Sequence, residues 1–183
     1  MKKTPFEISV AGRSLPGHLY PLPNPKAVVL IVHGMGEYGI RYERFVIPRL
    51  LERRLCVITY DQFGHGSKPG KKGHHPGYDY LLESIDRCLD KSKQTFGDLP
   101  VVLYGHSMGG NVSLNYILDR PKKITGAVIS SPFLRLSFEP PAWKLALGRI
   151  LGKILPSVTL ANEIDAGAIS QIPEEVEAYL KDP

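Results

Sequence analysis

The fold of this chain can be traced outward from one segment, Pro100-Val101-Val102-Leu103-Tyr104-Gly105-His106-Ser107-Met108-Gly109. Its first half is apolar and rich in β-branched residues, which predicts a buried strand over 100–104. The residues that follow, Asn111–Arg120, carry apolar side chains at helical spacing and predict a helix. The segment therefore places Ser107 in a tight turn between a strand and a helix.

Ser107 is the candidate nucleophile of this chain. A serine hydroxyl is a weak nucleophile until a base removes its proton. Gly105 and Gly109 leave space at the turn, and the start of a helix favours developing negative charge. A chance Gly-x-Ser-x-Gly in a chain with 18 glycines is the alternative. The strand before the turn, the helix after it and an upstream His-Gly-x-Gly favour the catalytic interpretation.

The upstream segment, His33-Gly34-Met35-Gly36, follows the apolar run Ala27–Val32. That run predicts a central strand buried on both faces. The backbone N–H groups of Met35 and Met108 are the candidates for an oxyanion hole, because glycines let the backbone approach a substrate closely. An ordinary glycine turn is the alternative. We expect the His33 side chain to orient the loop by hydrogen bonds rather than to act as a base.

The remaining elements alternate between strands and helices, which predicts a mostly parallel sheet flanked by helices. Two opening strands, over 6–10 and 18–23, should form a hairpin around Ala11-Gly12. Further strands are predicted at 55–60 and 124–130. The helix predicted over 42–54 would bury an apolar face formed by Phe45, Val46, Leu50 and Leu51. A helix over 80–95 should bury Leu81, Leu82, Ile85, Cys88 and Leu89.

Several side chains that carry chemistry in other proteins are interpreted here as structural. We expect Asp61 to cap a loop and His65 to be hydrogen-bonded within that loop. His74-His75 has no acid or thiol partner at ligand spacing, so the sequence predicts no metal site, and it predicts no cofactor. Cys56 and Cys88 should be buried free thiols in a reducing cytoplasm.

From residue 133 onward the strand pattern disappears. We expect an α/β core over 1–132 and a helical cap or lid over 133–183. An amphipathic helix is predicted from Ala142 to Leu155. One face of this helix carries Trp143, Leu147, Ile150, Leu151, Ile154 and Leu155. This face either packs on the sheet, or it lines an acyl-chain pocket and touches membrane surfaces transiently; both interpretations remain open.

Charge and hydropathy narrow the classes of partner. The formal net charge of +5 comes from scattered lysines and arginines without an arginine–aromatic stripe, which argues against nucleic acid as a partner. No apolar run approaches the about 18 residues of a membrane-spanning helix. We therefore expect a cytoplasmic protein whose membrane contact is at most peripheral.

Four ordered motifs resemble the monoacylglycerol lipase and lysophospholipase group of α/β-hydrolases, from about residue 27 to 183. They are His33-Gly34-Met35-Gly36-Glu37 with Arg41-Tyr42, Asp61 with Gly64-His65-Gly66, Gly105-His106-Ser107-Met108-Gly109-Gly110, and Ser130-Ser131-Pro132. The resemblance implies an eight-stranded α/β-hydrolase fold with a cap after the sixth strand. It also implies hydrolysis of carboxylic esters, typically lipid-like glycerol esters, with Ser107 as nucleophile and Met35 and Met108 as oxyanion donors.

The largest departure from this group lies after Ser107. The catalytic Asp and His that the resemblance implies lie beyond a seventh and an eighth strand, and these C-terminal strands are absent from the sequence. Asp165 and Asp182 fall in the predicted cap and are poor substitutes. Tyr38 and Lys68 stand where the group often has histidine and serine, which concerns substrate preference. We therefore expect the N-terminal part of a serine ester hydrolase, with little turnover by these residues alone.

Two other functions remain open at this point. One is a non-catalytic or degenerate hydrolase that binds a ligand, although the intact glycine turns at 33–36 and 105–109 weaken this alternative. The other is cleavage of thioesters or amides by the same serine. The Gly-x-Ser-x-Gly pattern does not separate these reactions, and the sequence assigns no side chain to substrate binding.

Overall fold

The computed structural model describes residues 1–66, 71–120, 124–135, 139, 141–154, 167 and 170–181. Within them six strands form one sheet: β1 (Thr4–Val10), β2 (Arg13–Tyr20), β3 (Ala27–Val32), β4 (Leu55–Tyr60), β5 (Val101–His106) and β6 (Gly126–Ser130). The helices are α1 (Val46–Glu52), α2 (Tyr78–Phe96), α3 (Met108–Asp119), α4 (Ala142–Ile154) and α5 (Pro173–Leu180). A 3₁₀ turn, Gly39–Glu43, precedes α1.

The sheet has the order β1-β2-β4-β3-β5-β6 and is mostly parallel, as predicted. Strands β4, β3, β5 and β6 pair in parallel, whereas the β1–β2 hairpin and the β2–β4 pairing are antiparallel. The hairpin turns at Ala11-Gly12, where both residues have positive φ. Because β3 and β5 are direct neighbours, the loops that leave their carboxyl ends, at 33–36 and 105–109, start from the same edge of the sheet.

Strand β3 is buried on both faces. Val28 and Leu30 belong to a core cluster shared with α2 and α3, whereas Val29 and Ile31 belong to a second cluster shared with α1. Helices therefore cover both faces of the sheet. Every residue of the predicted α2 face is buried, and Cys56 is a buried free thiol like Cys88 in that face.

The first helix differs from its prediction. It begins at Val46 rather than at residue 42, and the 3₁₀ turn occupies part of the predicted range. Pro48 explains this start, because a residue without an N–H is tolerated in the first turn of a helix but not in its interior. Phe45 consequently precedes α1 and is 61% exposed, whereas Ile47, absent from the predicted face, is fully buried.

Helices α4 and α5 lie in the predicted cap, and the division at residue 132 stays a prediction. Trp143 and Ile154 of α4 are 64% and 69% exposed, so this part of its apolar face is open. None of the described helices is long and apolar enough to cross a membrane. Four residues of the sequence analysis lie outside the described residues: Lys68, Leu155, Asp165 and Asp182.

Candidate active site

Ser107 lies between the last residue of β5 and the first residue of α3. Its φ of 51° and ψ of −117° are unusual for a residue with a Cβ. Such a conformation costs about 1–3 kcal/mol and persists only where the surroundings impose it. The Ser107 side chain does not cap α3, so its hydroxyl is not used to stabilise the helix.

Two glycines allow this turn to be so tight. A Cβ at Gly105 would lie 2.5 Å from Ser113 Oγ and 2.7 Å from the Gly109 carbonyl oxygen. A Cβ at Gly109 would overlap the carbonyl oxygens of Val32 and His33. Any side chain at these two positions would therefore push α3 away from β3 and β5.

The end of β6 holds the Ser107 backbone from both sides. The Ser107 N–H donates to the Ser130 carbonyl oxygen at 3.0 Å, and the Phe133 N–H donates to the Ser107 carbonyl oxygen at 3.0 Å. Asn111 N–H donates to the same carbonyl at 3.1 Å. Ser131, which lies between the two β6-side contacts, has a φ of 43°. These bonds impose the strained serine conformation.

His33 forms hydrogen bonds within the loops, as predicted, and its side chain is fully buried. Its Nδ1 donates to the Gly34 carbonyl oxygen at 2.7 Å, and its Nε2 accepts the Gln62 N–H at 2.9 Å. Gln62 Nε2 in turn donates to the His33 carbonyl oxygen at 2.5 Å. Burial lowers the pKa of His33 to about 3, which keeps the ring neutral. His33 therefore ties the β3 loop to the β4 loop and is not placed to take a proton.

The structure brings the two predicted oxyanion segments to the same serine. A Cβ at Gly34 would lie 3.1 Å from Ser107 Cβ, so the β3 loop touches the turn directly. Met35 is the next residue of this loop, and Met108 is the first residue of α3. The backbone N–H of Met108 belongs to the first helical turn, whose N–H groups have no partner within the helix.

Glu37 is a site residue to which the sequence reasoning gave no role. Its Oε2 accepts the Gly34 N–H at 2.7 Å and the Tyr42 hydroxyl at 2.8 Å. A carboxylate that reaches back to a backbone N–H three residues earlier is also the geometry of a helix capping box. The spacing of three residues between Gly34 and Glu37 is therefore the sequence feature that could have indicated this contact.

A cleft of about 260 Å³ opens beside this arrangement. His106 Nδ1 lies 3.2 Å from Ser130 Oγ at its edge. In the described part of the chain no group of three or more His, Cys, Asp or Glu side chains is placed to hold a metal ion. The polar and aromatic side chains that line the cleft are Glu37, Arg41, Tyr42, Phe45, Tyr104, His106 and Ser130.

Asp61 and His65 have the structural contacts that the sequence predicted. The Gly39 N–H donates to Asp61 Oδ1 at 2.8 Å, and His65 Nδ1 donates to the Phe63 carbonyl oxygen at 2.8 Å. Burial raises the pKa of Asp61 and lowers that of His65. Both groups therefore brace the loops that surround the β4 end of the sheet.

Known proteins resemble this chain over most of its length. Monoglyceride lipase from Homo sapiens is 30% identical over 164 residues, which cover 89% of this chain and 54% of that protein. Monoacylglycerol lipase from Mycolicibacterium smegmatis is 31% identical over 163 residues, which cover 89% of this chain and 58% of that protein. The chain thus spans about half the length of these two relatives.

Solved structures agree with the predicted fold. The crystal structure of Paleococcus ferrophilus monoacylglycerol lipase superposes with a TM-score of 0.80 at 35% identity, over 92% of this chain and 63% of that one. A soluble variant of the Saccharomyces cerevisiae monoglyceride lipase gives a TM-score of 0.77 at 25% identity, over 97% of this chain and 61% of that one. These likenesses confirm the α/β-hydrolase fold. Residues 23–183 match the family described as serine aminopeptidase, S33, and the chain belongs to this family of α/β-hydrolases.

Proposed function

We propose that Ser107 is the nucleophile of a carboxylic-ester hydrolase that acts on monoacylglycerol-like or lysophospholipid-like lipids. The observation that carries this proposal is the strained Ser107 backbone at the β5–α3 turn, with the glycine loop of β3 against it. Strain at a serine without a capping role is typical of a functional site. The lipase relatives support an ester of glycerol as the substrate class.

The proposed reaction has two steps. The Ser107 hydroxyl attacks the acyl carbonyl carbon, a new C–O bond forms, and the hydroxyl proton passes to a base. The N–H groups of Met35 and Met108 stabilise the oxyanion, and the alcohol leaves with a proton as the ester C–O bond breaks. Water then attacks the acyl-enzyme, which releases the fatty acid and restores Ser107. These steps need no cofactor.

The proton acceptor is not assigned to a residue of this chain. No histidine follows His106 in the sequence, and His33 is fixed as a buried neutral group. Without a base, the oxyanion hole and substrate binding give only a small part of the usual rate enhancement. We therefore expect turnover from the whole protein and little from residues 1–183 alone.

We also propose that the substrate is reached at a lipid surface through α4. Trp143 and Ile154 expose apolar area on this helix, and net positive charge favours contact with anionic lipids. This contact would be transient and peripheral for a protein working in the cytoplasm. Sedimentation with anionic vesicles should fall when Trp143 is replaced by Ser, and unchanged sedimentation would rule out this use of α4.

The decisive experiment compares esterase activity with and without the serine. The protein from its complete reading frame is assayed on a monoacylglycerol, next to its Ser107→Ala variant and residues 1–183. We expect turnover only from the unmodified protein, with a loss of at least about 1,000-fold in Ser107→Ala. Turnover that survives in Ser107→Ala would refute the assignment. Labelling of Ser107 by a fluorophosphonate provides a second readout.

The family description favours one other reaction for the same serine. Since the family is named for serine aminopeptidases, amide cleavage belongs in the substrate panel with esters and thioesters. A preference for N-terminal amides over monoacylglycerols would change the substrate class and keep Ser107 as nucleophile. A whole protein that neither labels nor turns over any of these substrates would point to a binding protein instead.

A further inference from the structure

We propose that Glu37 is a positioning residue whose carboxylate holds the loop 33–36 against Ser107. The structural part of this inference rests on hydrogen bonds of the described residues. Its expected effect on turnover rests on the proposed function. Glu37 has no place in the reaction steps above. Its proposed role is to hold in place the loop that carries the proposed oxyanion donor, Met35.

The contact between Glu37 and the loop is short and charge-assisted. Glu37 Oε2 accepts the Gly34 N–H at 2.7 Å, and Gly34 itself is buried. Hydrogen bonds from a neutral N–H to a carboxylate are roughly twice as strong as those between neutral groups. Loss of this acceptor would leave a buried N–H without its partner, which is costly.

Glu37 and Ser107 contact the same glycine. A Cβ at Gly34 would lie 3.0 Å from Glu37 Oε2 and 3.1 Å from Ser107 Cβ. The loop therefore fits between the carboxylate and the serine only because residue 34 has no side chain. A shift of the carboxylate would change the packing of the loop on Ser107.

Two hydrogen bonds together fix both peptide planes at Gly34. Glu37 holds the N–H of the peptide that joins His33 to Gly34. The His33 Nδ1 holds the carbonyl of the next peptide, at 2.7 Å, and the N–H of that peptide belongs to Met35. Glycine rotates more freely than any other residue, so the orientation of Met35 N–H depends on these two bonds.

Tyr42 keeps the carboxylate in place. Its hydroxyl donates to Glu37 Oε2 at 2.8 Å, and its ring lies edge-on to Tyr104 of β5 with 6.2 Å between centroids. Burial, followed by the nearby Glu37 charge, raises the pKa of Tyr42, so the phenol keeps its proton. The carboxylate is thereby linked to the 3₁₀ turn and to the strand that leads into Ser107.

The test measures the loop and the chemistry separately. Glycine-selective ¹⁵N labelling follows the Gly34 amide in the parent protein, in Glu37→Ala and in Glu37→Gln. Glu52→Ala, which removes an exposed carboxylate on α1, is the matched control. We expect Glu37→Ala to speed hydrogen exchange at Gly34 by about 10-fold or more, because the amide loses its acceptor. Exchange at Gly105 in β5 should not change.

The Gln variant covers the case in which Glu37→Ala does not fold. It keeps the size of the side chain and removes its charge, so the Gly34 amide resonance should move upfield while Glu52→Ala leaves it in place. In an active protein, Glu37→Gln should lower kcat about 10-fold with little change in KM, since a misplaced catalytic group affects mainly the chemical step.

Each outcome separates the two proposals. Unchanged exchange and an unchanged Gly34 resonance in both Glu37 variants would overturn the positioning role, whatever the turnover. If the protein from the complete reading frame shows no turnover, but its Glu37 variants show the expected change at Gly34, the contact is confirmed and the result counts against the ester-hydrolase proposal. Ser107→Ala should abolish turnover and leave the exchange of Gly34 unchanged.

Discussion

Gly109 in α3 packs directly against the backbone of Val32, the last residue of β3. A Cβ at residue 109 would overlap the Val32 carbonyl oxygen, which belongs to the backbone and cannot swing aside. The helix approaches the sheet this closely only because residue 109 has no side chain. This contact fixes the position of the α3 N-terminus, and with it Ser107, relative to the loop 33–36.

Gly109→Ala should therefore be strongly destabilising. We expect it to lower the free energy of unfolding by more than about 2 kcal/mol, since overpacking against a fixed backbone forces α3 to move. Gly148→Ala in α4 is the matched control, because a Cβ there meets nothing within 4 Å. Alanine should stabilise that helix by about 0.5–1 kcal/mol. Urea unfolding measures both, and equal effects would show that the Gly109 contact is not tight.

Ser107→Gly should be more stable than Ser107→Ala. Both variants remove the hydroxyl, but only glycine tolerates a φ of 51° without strain. Relief of strain of about 1–3 kcal/mol, less the greater flexibility of glycine in the unfolded chain, leaves an expected difference of about 1 kcal/mol. Urea unfolding of the two variants tests this. If Ser107→Ala is the more stable of the pair, the strained backbone is not a property of the protein in solution.

The sequence predicted the interior of the sheet better than its edge, where the second strand was expected at 18–23 and instead runs from Arg13 to Tyr20. Ala27–Val32 and Leu55–Tyr60 were located to the residue, because strands buried on both faces are unbroken apolar runs. All residues predicted for the buried face of α2 are buried, since a long amphipathic helix repeats its apolar spacing over several turns. The predicted start of α1 was wrong because apolar residues before Pro48 continue the helical spacing toward the N-terminus. Proline is tolerated in the first turn of a helix but not in its interior, so the helix has to start close to Pro48.

The sequence predicted part of the candidate site. The glycine turn at Ser107 and the bracing role of His33 follow from local motifs, whereas the function of Glu37 depends on how a short loop folds back on itself. The catalytic roles of Ser107, Met35 and Met108 stay predictions. A backbone N–H becomes an oxyanion donor only through its geometry to a bound substrate, which neither composition nor periodicity encodes.

Acidification should destabilise the fold through His33. Burial lowers the pKa of His33 from 6.5 to about 3, so between these values the unfolded chain binds a proton that the folded one does not. The contribution of His33 to the free energy of unfolding is therefore fully present above pH 6.5. It falls as the pH drops toward 3, by up to about 1.4 kcal/mol per pH unit. The lowered pKa values of His18 and His65 act in the same direction. The raised pKa of Asp61 opposes them above pH 3.8.

Urea unfolding of the parent and of His33→Gln at pH 7, 6 and 5 measures this effect. The variant loses hydrogen bonds and will be less stable at every pH, so the slope of stability against pH is the quantity to compare. We expect a flatter slope in His33→Gln. Parallel slopes would mean that His33 titrates normally in the folded protein and that other groups cause the pH dependence.

Arg44 and Glu175 join the 3₁₀-turn side of the cleft to α5. Arg44 Nη1 and Nη2 contact the two carboxylate oxygens of Glu175, each at 2.8 Å, across 131 residues of sequence. Bidentate pairs are the stronger kind of surface ion pair, although both side chains are partly exposed. We therefore expect Arg44→Gln and Glu175→Gln each to raise chymotryptic cleavage at Tyr179 in α5 about 2–5-fold, a change worth about 0.4–1 kcal/mol.

The double variant should be cleaved no faster than the single ones, because either substitution alone removes the pair. High salt should speed cleavage of the parent and leave the double variant unchanged, since mobile ions weaken exposed charge pairs. Arg49→Gln and Glu52→Gln are the controls: they break an Arg–Glu pair of the same type that lies within α1 alone. If the two Arg44–Glu175 substitutions act additively, or the control pair has the same effect, α5 is held on the core by contacts other than this ion pair.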